Sequence, residues 1–324
     1  MPHRSGLVLC AATLLCAMGA SAQTAPSPAR PPAPVGQVTV VAKPAPKVIQ
    51  QQARSFVQDY AATANAEVGQ IGRWRDAVCV TVVGLPRADQ AQAIKARIES
   101  VAQAVGLPAA RSGCRPNVEI VFSDQPQQTM DLVAKKREYL LGYAHRNRHD
   151  RLKTVTRPVQ AWYVTSTQAD GADLGGLAWT AAAAFVRNHY ADEVIDDPAN
   201  QPPAGCGDNP RFSACLKSVF SNVFIVADSR VLQGRQLGEA ADYLVMLALS
   251  QPRSLDGCTA ARSVIDLFAT PACPGREPPD GLTPADAAYL TALYAAEMDA
   301  KKWVQQSDIA GRMARILTRA DAGG

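Results

Sequence analysis

Asp242 stands inside GEAADYLVMLALSQ, Gly238–Gln251, followed by the apolar and aromatic run Tyr243 to Leu249. Two imidazoles four residues apart on a helix, with an acid beside the first, can hold zinc and activate its bound water. Laid on that spacing, Asp242 takes the place of the acid. Ala241 stands at the first ligand position, Val245 at the second and Gln251 at a third, with Ala248 where a glycine is usual. No histidine follows His189, so no shift of register restores the ligand pair. The run YLVMLAL is apolar on every side, the pattern of a helix buried all round. The expectation is a core helix, with Asp242 the one catalytic candidate and with no metal or cofactor assigned.

Other chemistry-bearing patterns are sparse. There is no GxSxG elbow, no SxxK pair and no glycine-rich phosphate loop. His145 and His149 are four apart in AHRNRHDRLK, without a carboxylate or third histidine spaced to complete a metal site. The surrounding stretch Lys135–Arg157 holds eight Lys or Arg against Glu138 and Asp150. It reads as a solvated segment, with contact to an anionic surface as the alternative. Asp192, Glu193, Asp196 and Asp197 in ADEVIDDP lack the spacing of a calcium loop. Trp74, Trp162, Trp179 and Tyr163 are assigned mainly to core packing, Trp162 and Tyr163 facing opposite sides of a strand.

These residues need elements to hold them. Helices are expected over Gln51–Val68, Ala88–Val105, Met130–Tyr143, Gly238–Ser250, Thr259–Phe268 and Asp308–Arg319, from apolar spacing and end signals. Strands are expected at Ala77–Val83, Asn117–Phe122, Pro158–Thr165 and Asn222–Ala227. LTPADAAYLTALY starts a further helix, with Thr283 as its cap, Pro284 at the first position and Asp286 closing a capping box. Residues 168–215 are rich in Gly, Ala, Asp and Pro and carry no assignment. The fold class is α/β or α+β, a mixed sheet with packed helices and a helical C-terminal third.

The start of the chain speaks to location. His3 and Arg4 precede an apolar run, Gly6–Met18, too short to span a bilayer, and Ala20-Ser21-Ala22 fits a cleavage site. Leu9 before Cys10 and Leu15 before Cys16 do not fit lipidation. Residues 1–22 are therefore read as a signal peptide cleaved after Ala22, giving a periplasmic or secreted protein. Residues 23–49, with seven prolines to Val48, form an extended linker that includes the strand-like island Gln37–Ala42. Residues 50–324 form one globular domain. No later segment is apolar enough to span a membrane, and the formal charge of +4 gives no reason to expect nucleic acid.

Export gives the cysteines a meaning. Cys79, Cys114, Cys206, Cys215, Cys258 and Cys273 remain in the mature chain, enough for three disulfides. Pairing of sequence neighbours is the simplest connectivity. Cys79 and Cys114 precede strands joined by a helix, and such strands usually lie parallel with their starting ends together. Zinc ligation is the weaker reading, because no CxxC pair is present.

The order NVFIVADSRVL, helix, SVIDLF and LTPADAAYLTALY resembles the C-terminal part of zincin-type metallopeptidases. There a serine-containing turn that bears methionine follows the zinc helix. Ser263-Val264-Ile265 matches that turn, with Ile265 in place of methionine. IGRWRDAVCV, GCRPNVEIVF, PVQAWYV, ADYLVMLALSQ, SVIDLF and LTPADAAYLTALY together resemble a family of uncharacterised secreted bacterial proteins. The first likeness implies a degenerate zincin-like arrangement without its zinc ligands, and the second implies export but no activity. The expectation is an exported non-enzymatic envelope protein, a pseudoenzyme, that binds a protein or polymer partner. The alternative is an envelope hydrolase with an unrecognised site in residues 168–215.

Overall fold

The computed structural model describes residues 45–64, 69–141, 152–169, 216–256, 258–269 and 271–323. Its first helix, α1 (Pro46–Tyr60), is followed by β1 (Val80–Val83), α2 (Ala88–Ala104), β2 (Val118–Ser123) and α3 (Pro126–Lys136). Then come β3 (Val159–Ala169), β4 (Leu216–Asp228), α4 (Leu237–Leu249), α5 (Pro284–Ala295) and α6 (Lys302–Gly323). The strands form one mixed sheet in the order β1-β2-β4-β3. β1, β2 and β4 run parallel, and β3 returns antiparallel to β4. The fold is α+β, within the class the sequence implies.

Period-two alternation in the strands explains why both sheet faces are covered. Val223, Ile225 and Ala227 of β4 enter the main core with Val118, Ile120 and Phe122 of β2. Phe224 and Val226 point the other way and pack with Trp162, Met130, Val133, Leu140 and Leu141. One face therefore carries α3 and the short 3₁₀ turn Glu138–Leu141, while the other supports the larger helical layer. In that layer α2 packs on α4, and α6 packs on both α1 and α5. Among the described residues no helix is long and apolar enough to cross a membrane.

Parallel pairing of β1 with β2 has the expected covalent consequence. Val80 is in register with Val118, and Cys79 is bonded to Cys114, with Cα atoms 6.1 Å apart. Asn117 completes this corner by accepting from the Cys79 amide and donating to the Ala77 carbonyl. Cys258 is bonded to Cys273. Cys206 and Cys215 lie outside the described residues. Directly after β1, Gly84 has φ +86°, and a Cβ there would stand 1.9 Å from the Phe122 carbonyl oxygen. That close approach of the chain to β2 requires glycine.

Several boundaries differ from those read in the sequence. α1 begins at Pro46, inside the stretch taken as linker, because proline suits the first helical turn and Ile49, Ala53, Phe56 and Val57 supply a buried face. It stops at Tyr60 rather than Val68, where Ala61 bridges instead to Pro252. The helix expected over Thr259–Phe268 is only a 3₁₀ turn, Val264–Phe268. Thr259 bonds the Asp266 carboxylate through both its amide and its hydroxyl, which holds residues 259–263 away from helical geometry. α3 starts at Pro126 and breaks after Lys136, and α6 starts six residues before Asp308. The signal peptide and the island Gln37–Ala42 lie outside the described residues.

Candidate functional site

α4 is the centre of the helical layer. All ten residues from Ala240 to Leu249 are buried, as the apolar run implies. Ala241 and Val245 are 4% and 0% exposed, and Ala241 to Leu249, apart from Asp242, belong to the main core. The two positions matching zinc ligands therefore carry hydrocarbon that packs, with no ligand atom to offer.

Asp242, 7% exposed, accepts protein hydrogen bonds at both carboxylate oxygens. Oδ1 accepts from Arg97 Nε at 2.5 Å, and Oδ2 accepts from Arg97 Nη2 at 3.2 Å. Oδ2 also accepts from the Leu282 amide at 2.9 Å. The guanidinium meets the carboxylate as a two-toothed fork, the geometry in which charge-assisted bonds are strongest. Because this bond favours its charged form, the Arg97 guanidinium is held above its ordinary range. Gly281 is fitted to the same carboxylate, since a Cβ there would lie 2.6 Å from Oδ2. One acid thus ties α2, α4 and the loop before α5.

A second buried carboxylate lies at the start of α5. Asp286 forms the expected capping box with Thr283. Beyond that box it accepts from Ser263 Oγ at 2.5 Å and from the Val264 amide at 2.9 Å. Ser263, matched to the zincin turn, therefore orients a helix cap. Burial pushes the Asp286 carboxyl above its ordinary range, with the surrounding donors opposing that rise.

The C-terminal end of α4 is capped by its own Ser250 and by side chains from three other parts of the chain. A helix leaves its last four carbonyls without internal partners. Ser250 Oγ donates to the Met246 carbonyl, Tyr163 to that of Leu247, Trp74 Nε1 to that of Ala248 and Tyr294 to that of Leu249. Tyr60 completes the group through a 3.1 Å bond with Ser250 Oγ. Burial raises the tyrosine hydroxyls well above their usual range, so they remain neutral donors at neutral pH. Trp74 and Tyr163 are thus held by the core. Trp162 is likewise buried on the opposite sheet face and donates to the Leu152 carbonyl.

The end of α5 is satisfied differently. Arg73, 1% exposed, donates to the carbonyls of Leu293, Ala296 and Glu297. Burial lowers its guanidinium from the usual value to about 10, still charged at neutral pH. Neither Arg73 nor Arg97 was identified from sequence. Their partners are distant backbone carbonyls and an acid 145 residues away, which no local spacing encodes.

The remaining candidates disperse. In the basic stretch, Arg137 forks onto Glu119 and Arg157 pairs with Asp256. His3, His145, His149 and His189, ADEVIDDP, Trp179 and residues 170–215 lie outside the described residues. Gln251, the third matched position, directs Oε1 into the interior without a protein partner. The described residues contain no group of three or more His, Cys, Asp or Glu placed to hold a metal. Comparison of this chain with protein-family models, curated proteins and solved structures finds no match.

Proposed function

We propose that this chain is an exported envelope protein that works by binding a protein or polymer, on a zincin-like frame whose catalytic helix has become structural. The observation that carries this reading is the engagement of Asp242 by Arg97 and the Leu282 amide. A general base must face a reacting water, with a lone pair directed at the proton it takes. Here both carboxylate oxygens are directed into protein donors. The matched ligand positions are filled by Ala241 and Val245. Support for the frame itself comes from element order: β4, then α4, then the turn opened by Ser263, then α5. The leader sequence and the two disulfides agree with an oxidising compartment.

The test is co-sedimentation of the purified mature chain with cell-wall sacculi and with outer-membrane vesicles, followed by assay of soluble fragments and of cleavage of an unstructured peptide. Retention without turnover is expected. Turnover that disappears in Asp242→Asn while the fold is kept would overturn the reading.

A further inference from the structure

The two described disulfides stand in different surroundings. Cys79 is 5% exposed and lies at the start of β1, with its amide held by Asn117. Cys258 is exposed, and Cys273, itself 9% exposed, is followed by the exposed residues Pro274 to Pro278. Cys273-Pro274-Gly275-Arg276 has the residues and the bond of a type II turn. Gly275 has φ +65°, and the Arg276 amide donates to the Cys273 carbonyl at 3.2 Å. From this turn the Arg276 side chain crosses the loop, and its Nη1 donates at 2.8 Å to the carbonyl of Thr259, the residue after Cys258. One guanidinium is thus tied to the chain beside both halves of the bridge. Asp266 Oδ2 lies 3.9 Å from the same nitrogen, but both oxygens of that acid accept from Thr259. Arg276 is bonded to a neutral carbonyl rather than forked onto the acid.

We propose that Cys258–Cys273 is a site of thiol–disulfide exchange in the folded protein, opened by a dithiol that attacks Cys258. Access and charge both select this bridge, since exchange needs a reachable sulfur and a stabilised leaving thiolate. A thiolate of the dithiol bonds to the Cys258 sulfur, and the Cys258–Cys273 bond breaks. Cys273 leaves as a thiolate beside the Arg276 cation and then takes a proton from water. The second thiol of the reagent displaces Cys258, which also ends as a thiol, and the reagent departs as its own disulfide. Two electrons pass from the dithiol to the bridge. This property does not depend on which partner the protein binds.

The surrounding bonds keep the opening local. Arg276 and Asp266 both hold Thr259. Arg262 Nη2 donates to the Pro278 carbonyl, and Thr283 Oγ1 donates to the Arg262 carbonyl. Asp286 holds Ser263 and the Val264 amide. None of these contacts uses a cysteine sulfur, so residues 259–264 stay attached to the domain after the bridge opens.

The test treats the folded protein with dithiothreitol in native buffer, blocks new thiols with N-ethylmaleimide at intervals, and maps them by mass spectrometry. Cys258 and Cys273 should be alkylated together and early, with Cys79–Cys114 intact and tryptophan fluorescence unchanged. With glutathione in place of dithiothreitol, the trapped intermediate should carry glutathione on Cys258 and the alkyl group on Cys273. Arg276→Gln, which keeps a hydrogen-bond donor without the charge, should slow opening by about threefold or more, and Arg276→Lys by less. A Cys79–Cys114 bridge that opens as fast, or a Cys258–Cys273 bridge that opens only as fast as fluorescence reports unfolding, would overturn the proposal. Glutathione found on Cys273 instead, or an Arg276→Gln chain that opens as fast as the parent, would overturn the assigned roles of Cys258 and Arg276.

Discussion

Asp242 of α4 and Arg97 of α2 are joined through two hydrogen bonds, with the Leu282 amide on the same carboxylate. The arginine side chain is about half exposed and the aspartate nearly buried. Losing the two partners therefore has unequal consequences. Asp242→Ala strands the Leu282 amide as well as the guanidinium and should cost about 2–3 kcal/mol in urea unfolding. Arg97→Ala leaves the acid with its backbone donor and partial access to water, so about 1 kcal/mol is expected. Equal losses, or none, would mean that the acid is not a tie between these elements.

Asp286 should be more sensitive. It gathers Ser263, the Val264 amide and both the amide and hydroxyl of Thr283 in a buried site. Asp286→Ala should cost about 3–5 kcal/mol, combining a lost cap with stranded donors.

The same residue makes a pH prediction. Its carboxyl is raised by burial above the ordinary 3.8, so in the folded chain it keeps its proton to higher pH than in the unfolded chain. Its contribution is greatest below 3.8 and declines as pH rises through the raised value. Asp286→Asn should remove that decline. The check is the difference in unfolding free energy between parent and variant, measured from the ordinary carboxyl range up to neutral pH.

Arg73 supplies three carbonyls at the end of α5 from a fully buried position. Lysine has the charge but not the planar fork, so Arg73→Lys should destabilise nearly as much as Arg73→Met, by about 3 kcal/mol or more. Thermal melts of the two variants compare shape with charge directly. Recovery of parent stability by lysine would mean that charge alone, without the planar fork, satisfies these carbonyls.

Removing Cys79–Cys114 by paired alanine substitution should cost about 3–4 kcal/mol, because the bridge spans 35 residues. Removing Cys258–Cys273, which spans 15, should cost less, about 3 kcal/mol. Chemical unfolding under non-reducing conditions distinguishes them. The reverse ranking would mean that native geometry, rather than chain closure, sets their worth.

Features carried by local chemistry were legible in the sequence. The capping box at Thr283 and Asp286, the all-round apolar α4 and the period-two strands each follow from residues close together in the chain. The Cys79–Cys114 bridge was legible because parallel β1 and β2 must start side by side. The role of Asp242 was not, since Arg97 reads locally as a solvent-facing residue beside buried Ile94 and Ile98. Thr259–Phe268 misled because its apolar spacing suits a helix, while the Thr259–Asp266 bonds win locally. The work of Ser263 as a donor to Asp286 depends on α5 folding against it, which no local spacing encodes.

The account rests on α4 being a structural helix rather than a metal-binding one, and zinc analysis tests that most directly. The protein should be purified without chelator, equilibrated with excess zinc, freed of unbound metal and measured by mass spectrometry. Trace zinc, the same in Asp242→Asn as in the parent, is predicted. Stoichiometric zinc in the parent, together with cleavage of an unstructured peptide that Asp242→Asn abolishes, would contradict it.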